Sequence, residues 1–135
     1  MIELKKFENI GDAPVSSIMH TKVFSIQPSY SIKTTIETFK VHHISCAPVT
    51  DADGKILGII SEHDLLLQAA SKPLNHVIDY NSKVTALAPG VTIKSTLLLF
   101  FTKKLKHIPV IDSEHHVVGM VSRIDLLNYL STSSV

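Results

Sequence analysis

Two serines and two aspartates stand at matching spacings. Gly58-Ile59-Ile60-Ser61-Glu62-His63-Asp64 and Gly119-Met120-Val121-Ser122-Arg123-Ile124-Asp125 share one order: a glycine, two apolar residues, a serine, two variable residues and an aspartate. A serine followed three residues later by an acid can form a capping box, in which each side chain satisfies an amide that the first helical turn leaves without a partner. That chemistry needs no ligand. Nucleophilic catalysis is not expected, because neither serine lies in a Gly-x-Ser-x-Gly elbow and no Ser/His/Asp order recurs. A metal reading would draw on His42-His43-Ile44-Ser45-Cys46 and Glu114-His115-His116, where His43 and Cys46 have ligand-like spacing. No second Cys/His pair completes a tetrahedral site, so no metal is expected. Cys46 reads as a small apolar residue near a strand.

These residues belong to a longer self-match. At a constant spacing of 61 residues, Pro48 matches Pro109, Val49 matches Val110, Asp51 matches Asp112 and Leu65 matches Leu126. Upstream, Lys22 matches Lys83, Pro28 matches Pro89, Ile32 matches Ile93 and Phe39 matches Phe100. Such a repeat means two units of one architecture. In the first, Val23 to Ile26 reads as a strand ended by Gln27-Pro28. Ser31 caps a helix buried through Ile32, Ile36, Phe39 and Ile44. Ala47 to Thr50 is a strand, Asp51 to Gly54 a turn, and Ile56 to Ile60 a strand covered on both faces. Gly58 in its middle indicates close approach of another backbone or a ligand. Ser61 then opens a helix carrying Leu65, Leu66 and Ala69. The second unit repeats this with strands at Val84 to Leu87, Ile108 to Ile111 and Val117 to Val121, and helices at Ile93 to Leu105 and Ile124 to Leu130. The fold class is α+β, a tandem βαββα repeat.

A chain of 135 residues is the size of one compact domain, so the two units must share a core. Its 13 basic and 12 acidic side chains give no strong overall field for nucleic acid or an anionic membrane. The most apolar run, Leu97 to Phe101, is far shorter than the roughly 20 residues that span a bilayer. The opening MIELKKFENI lacks the apolar core of a signal peptide, and a cytoplasmic location is expected. Ile2, Leu4, Phe7 and Ile10 allow a short docking helix ended by Gly11 and Pro14.

Val15-Ser16-Ser17-Ile18-Met19, the repeated Pro-Val before an acidic turn, and the glycine-to-aspartate motif followed by two leucines together resemble a CBS-domain pair, over roughly residues 15 to 130. The boundaries expected are a lead-in at 1–14, a first unit at 15–70, a linker at 71–81, a second unit at 82–130 and a frayed tail at 131–135. The resemblance implies a pseudo-twofold axis with two clefts between the units. It also implies an adenosine-containing regulatory ligand such as AMP, ADP, ATP or S-adenosylmethionine, and often a second chain completing a dimer. A carboxylate can accept from both ribose hydroxyls while the serine and the helix N-terminus face a phosphate or the sugar. Carried over by position, one cleft would use Ser16, Met19, Thr21, Ile44, Ser45, Met120, Ser122 and Asp125. The mirror cleft would use Ile59, Ser61, Asp64, Val77, Tyr80, Ser82 and Leu105. Lys106, His107 and Arg123 are assigned to the Asp125 cleft, which makes it the expected tighter anion site. The second unit has His76-Val77-Ile78-Asp79-Tyr80 in place of the Val-x-x-Ile-Met lead-in.

Leu97, Leu98, Leu99, Phe100 and Phe101 give one helix more apolar surface than a single core-facing stripe needs, and a homodimer is expected. The function expected is a stand-alone regulatory module, not an enzyme, that binds an adenosine nucleotide and signals to a protein effector. The alternative is a structural interaction module whose serines and aspartates act only as caps.

Overall fold

The structure, a computed structural model, describes residues 10–132. The expected helix over residues 2 to 10 lies outside it except for Ile10, which is buried.

Each unit is built from one capped helix, one hairpin and a second helix. Ser31 accepts from the Thr34 N–H at 3.0 Å and opens α1 (Ile32–His42), which buries Ile32, Thr35 and Phe39. Thr92 does the same through Ser95, at 3.1 Å, for α3 (Ile93–Lys103). The two helices end alike, on His43 and Lys104 in the left-handed conformation at φ 52° and 51°. Strands β1 (Cys46–Thr50) and β2 (Ile56–Ser61) pair antiparallel with Val49 opposite Gly58, and β3 (His107–Ile111) and β4 (Val117–Ser122) repeat this with Val110 opposite Gly119. Helices α2 (Glu62–Ser71) and α4 (Arg123–Thr132) follow directly, α4 running two residues past the end of its sequence pattern.

The hairpin tips stitch the units together. Asp51 Oδ1 accepts from the Asp53 and Lys55 N–H groups, and Asp112 Oδ1 from those of Glu114 and His116, all at 2.9 Å. Gly54 and its counterpart His115 take positive φ, 83° and 69°. The tips then bond to each other, Ile56 N–H to His115 O at 2.9 Å and Val117 N–H to Gly54 O at 3.2 Å.

The first strand of each unit is reduced to one residue. Ile26 donates to Pro48 O at 2.9 Å and accepts from Thr50 N–H at 3.0 Å, a single parallel bridge to Val49. The turn in which Tyr30 N–H reaches Gln27 O, 3.1 Å, then lifts the chain away. Leu87 bridges Val110 in the same manner.

The other edge of each hairpin is filled by chain from across the molecule. Asn81 exchanges both backbone bonds with Ile59, at 2.9 and 3.0 Å, and Ile78 N–H reaches Tyr30 O, so residues 77–81 lie on the first unit. His20 exchanges both bonds with Met120, each at 2.9 Å, and Val15 N–H reaches Val91 O at 2.7 Å, so residues 14–20 lie on the second. The cores follow the same crossing. Ile78 is buried with Ile26, Ile32, Ile60 and Leu65, while Ile10 and Val15 are buried with Ile93, Phe100, Val121 and Leu126. Gln68 fastens the first crossing by bonding Asp79 at both N–H and C=O, 2.8 and 2.9 Å.

The glycines at the hairpin centres are where these crossings pass. A Cβ on Gly58 would meet the Tyr80 ring and lie 2.5 Å from Asn81 O, and one on Gly119 would lie 2.5 Å from Met19 Sδ. The close approach inferred for Gly58 is therefore by backbone and side chain of the crossing segment.

Candidate functional site

Both serine–aspartate pairs sit where a β strand hands over to a helix, and both aspartates turn back onto the serine. Asp64 Oδ2 accepts from Ser61 N–H at 3.0 Å and Ser61 Oγ–H at 2.9 Å, and Asp64 N–H returns a bond to Ser61 Oγ at 3.2 Å, a complete capping box. Asp125 Oδ2 accepts from Ser122 N–H and Oγ–H at 2.7 and 3.0 Å. Each carboxylate thus has one oxygen engaged locally.

The second oxygens differ. Asp64 Oδ1 has no protein partner among the described residues. It belongs to a wide cavity of about 820 Å³ walled by Ile59, Ser61, Leu66, Asn81, Lys104, Leu105, Lys106 and His107, with Ser45, Cys46, Glu62 and His63 completing the rim. Asp125 is only 5 % exposed, and its Oδ1 lies 2.6 Å from His20 Nε2. The cavity on that side is smaller, about 260 Å³, and is walled by His20, Lys22, Val23, Phe24, His43, Ile44, Ser45, Cys46, His107, Met120 and Ser122. At its mouth the Phe24 and His42 rings stack at 3.7 Å.

Ile44, Ser45, His107, Met120 and Ser122 line one cavity beside the handover to Asp125. Ile59, Ser61, Asp64 and Leu105 come together in the mirror cleft. Lys106 lines the Asp64 cavity instead of the Asp125 one, and His107 reaches both. The reason is the pseudo-twofold: it makes Ser45 equivalent to Lys106 and Ser122 to Ser61, so the relation that sets Ser45 beside the Ser122 cleft sets Lys106 beside the Ser61 cleft. Arg123 lies on an outer apolar groove, its Nε donating to Leu105 O at 3.1 Å. Ser16 is exposed with its N–H on Pro89 O, Met19 packs against the second core, and Thr21 is exposed. Val77 bridges Ser31 at the start of α1, Tyr80 packs on the first core and beside Asp64, and Ser82 is exposed.

His20, Asn81 and Lys104 are among the wall residues that motif reasoning missed. His20 and Asn81 stand 61 residues apart, so the repeat spacing held the signal. Lys104 enters because the left-handed helix end turns it over the cleft. Burial lowers His107 below its ordinary value of 6.5, against a smaller opposing pull from Asp125. Burial pushes the Cys46 thiol up to about 12, with Asp64 adding to the rise, so it is an inert wall and not a nucleophile. No group of three or more potential metal ligands gathers among the described residues.

Two repeated units with paired clefts between them define a tandem-repeat scaffold, and the sequence comparison makes it specific. The CBS domain family matches residues 15–71 and 77–132, and the chain belongs to that family. An uncharacterized protein of Methanocaldococcus jannaschii is 28% identical over 163 residues, covering 94% of this chain and 97% of that protein. An uncharacterized 17.7 kDa protein of Acidianus ambivalens is 27% identical over 118 residues, covering 86% and 72%. The chain spans less than half the length of several other relatives, 42% of one from M. jannaschii and 21% of the inosine-5'-monophosphate dehydrogenase of Aquifex aeolicus. Among solved structures, a CBS domain pair in complex with 5'-methylthioadenosine and S-adenosyl-L-methionine superposes with TM-score 0.78 at 20% identity, covering 90% of this chain and 98% of that one. CBSX2 in complex with AMP gives 0.76 at 19%, covering 85% and 93%. At these identities the likeness is one of fold.

Proposed function

We propose that this CBS pair is a regulatory module that binds an adenosine-containing ligand in the Asp64 cleft and passes the occupancy to a protein effector. The observation that carries the reading is the geometry at Asp64. One carboxylate oxygen is held by Ser61 while the other opens into a cavity large enough for a nucleotide, since ligand pockets run to about 300–1,000 Å³. Ribose hydroxyls would donate to the open oxygen. Ile59, Leu66 and Leu105 offer apolar contact for a base, and Lys104, Lys106 and His107 supply the side of the cavity suited to phosphate. Related folds hold AMP, or 5'-methylthioadenosine with S-adenosyl-L-methionine, which supports the adenosine class. The arrangement contains no nucleophile–base pair, and no catalysis is proposed.

The complete capping box at Ser61 and Asp64 favours a second reading, an interaction module in which the pair serves the helix alone. Titration calorimetry separates the two. AMP, ADP, ATP, S-adenosylmethionine and 5'-methylthioadenosine should include at least one that binds. Asp64→Asn should weaken it by about ten- to a hundredfold, the loss of a hydrogen bond to a charged acceptor. Asparagine still caps, so the fold should survive. No binding by any member of the panel, or no loss in the variant, would leave the capping role alone.

A further inference from the structure

The two clefts share a serine-bound carboxylate at a strand-to-helix handover, and one difference between them is the crossing residue beside that carboxylate. His20 and Asn81 occupy equivalent places: each exchanges two backbone bonds with the residue after the hairpin glycine, His20 with Met120 and Asn81 with Ile59. That pairing fixes both side chains beside the aspartate of their cleft. Asn81 turns aside, its Oδ1 accepting from Lys83 N–H at 3.0 Å, and leaves Asp64 Oδ1 open. His20 turns inward, and Nε2 meets Asp125 Oδ1 at 2.6 Å.

With Ser122 on the other oxygen, the Asp125 carboxylate has both oxygens engaged and is 5 % exposed. A ribose diol could reach it only after the imidazole leaves. The imidazole is itself 61 % exposed, so it can swing into solvent without unpacking a core. Its backbone bonds to Met120 stay in place during such a swing, because they do not involve the ring.

We infer that His20 decides which cleft is filled: it is an intramolecular competitor for Asp125, so that nucleoside ligands take the Asp64 cleft first and the Asp125 cleft only against the closed His20 contact. This rests on the ribose reading of the aspartates given above. A site whose competent form is a minor population binds more weakly by that fraction, and a hydrogen bond to a charged group sets the fraction at roughly a tenth or less. The assignment reverses the order expected from sequence, where Asp125 was the stronger site.

The test is AMP titration calorimetry of the full chain with stoichiometry as the readout. Wild type should show one site per chain, weakened about ten- to a hundredfold in Asp64→Asn. His20→Asn, which installs the residue found at the equivalent place in the other cleft, should show a second site or a gain of about tenfold at a weak one. Asp125→Asn in the His20→Asn background should remove that gain. The reciprocal Asn81→His should weaken the first site. His20→Ala, read beside His20→Asn, guards against a misfolded variant, and thermal unfolding of each checks the fold. Two equal sites in wild type, unchanged by His20→Asn, would overturn the inference while leaving nucleotide binding intact. Weaker binding in both His20 variants would overturn it by making His20 a ligand contact. No AMP binding by wild type or any variant would overturn this inference, and the reading beneath it falls as well only if no other member of the adenosine panel binds.

Discussion

His107 lies between the two clefts, one position ahead of the buried core of β3, and burial is the main cause of its lowered pKa. The sign of its contribution to stability follows. As pH falls, the unfolded chain takes up a proton at the ordinary value of 6.5, before the folded chain does. Stability is therefore fully present above that value and declines as pH drops towards the folded one. His107→Gln cannot titrate, and the difference between wild-type and variant melting temperatures should shift in the variant's favour between about pH 7 and pH 5. A pH-independent difference would show that the site is wetter than its position indicates. At this scale the sequence was legible where a motif named the residue. Ser61, Asp64, Ser122 and Asp125 could be found because capping and carboxylate chemistry demand their spacing. His20 could not, because it lies in irregular chain where no periodicity marks a side chain's direction. Lys106 was placed on the wrong side because its neighbours in sequence are separated by the pseudo-twofold.

Hairpins and helices were readable for a physical reason: each carries its own punctuation, a capping hydroxyl, an Asp-led turn or a proline, and each appears twice. The first strands were not. Val23 to Ile26 has strand composition, but one parallel bridge is all that the turn at Gln27 leaves room for. The crossing segments were also hidden, since Val15, Ile18 and Met19 or Ile78 and Tyr80 are apolar without declaring which core receives them. Their dependence on the hairpin glycines can be tested. Gly58→Ala places a methyl against Asn81 O, a backbone atom that cannot swing away, and against the Tyr80 ring. Urea denaturation should show a loss towards the upper end of the roughly 1–3 kcal/mol seen for overpacked positions. Gly90→Ala, where no described residue lies within 4 Å, serves as the matched control and should change little. Equal behaviour of the two variants would mean that residues 77–81 can shift without cost.

Across the whole molecule, α3 and α4 present an outer groove of about 440 Å³ lined by Leu97, Phe100, Phe101, Leu105, Leu126, Leu127 and Leu130 together with Lys104 and Arg123. Phe101 and Leu127 are more than half exposed there. The matching face of the first unit carries Lys40 where this groove has Phe101, while His43 and Glu62 stand where Lys104 and Arg123 do. A second copy of the chain is the proposed occupant, so light scattering at high micromolar concentration should give a dimer mass, and Phe101→Glu a monomer. A monomeric wild type would remove the proposal. No described helix is long and apolar enough to cross a membrane. The exchanged crossings also set an order of events during synthesis. The first unit's core is complete once Asn81 has emerged, because its last contributors, Ile78 and Tyr80, directly follow its helices. Ile10 and Val15 are made ahead of the rest of the first unit, yet their core partners Val121 and Leu126 follow more than 100 residues later. At roughly 5–20 residues per second, this opening arm waits for seconds beside a finished neighbour before its own cradle exists. On a crowded polysome, an arm from an adjacent nascent chain could compete for the same cradle.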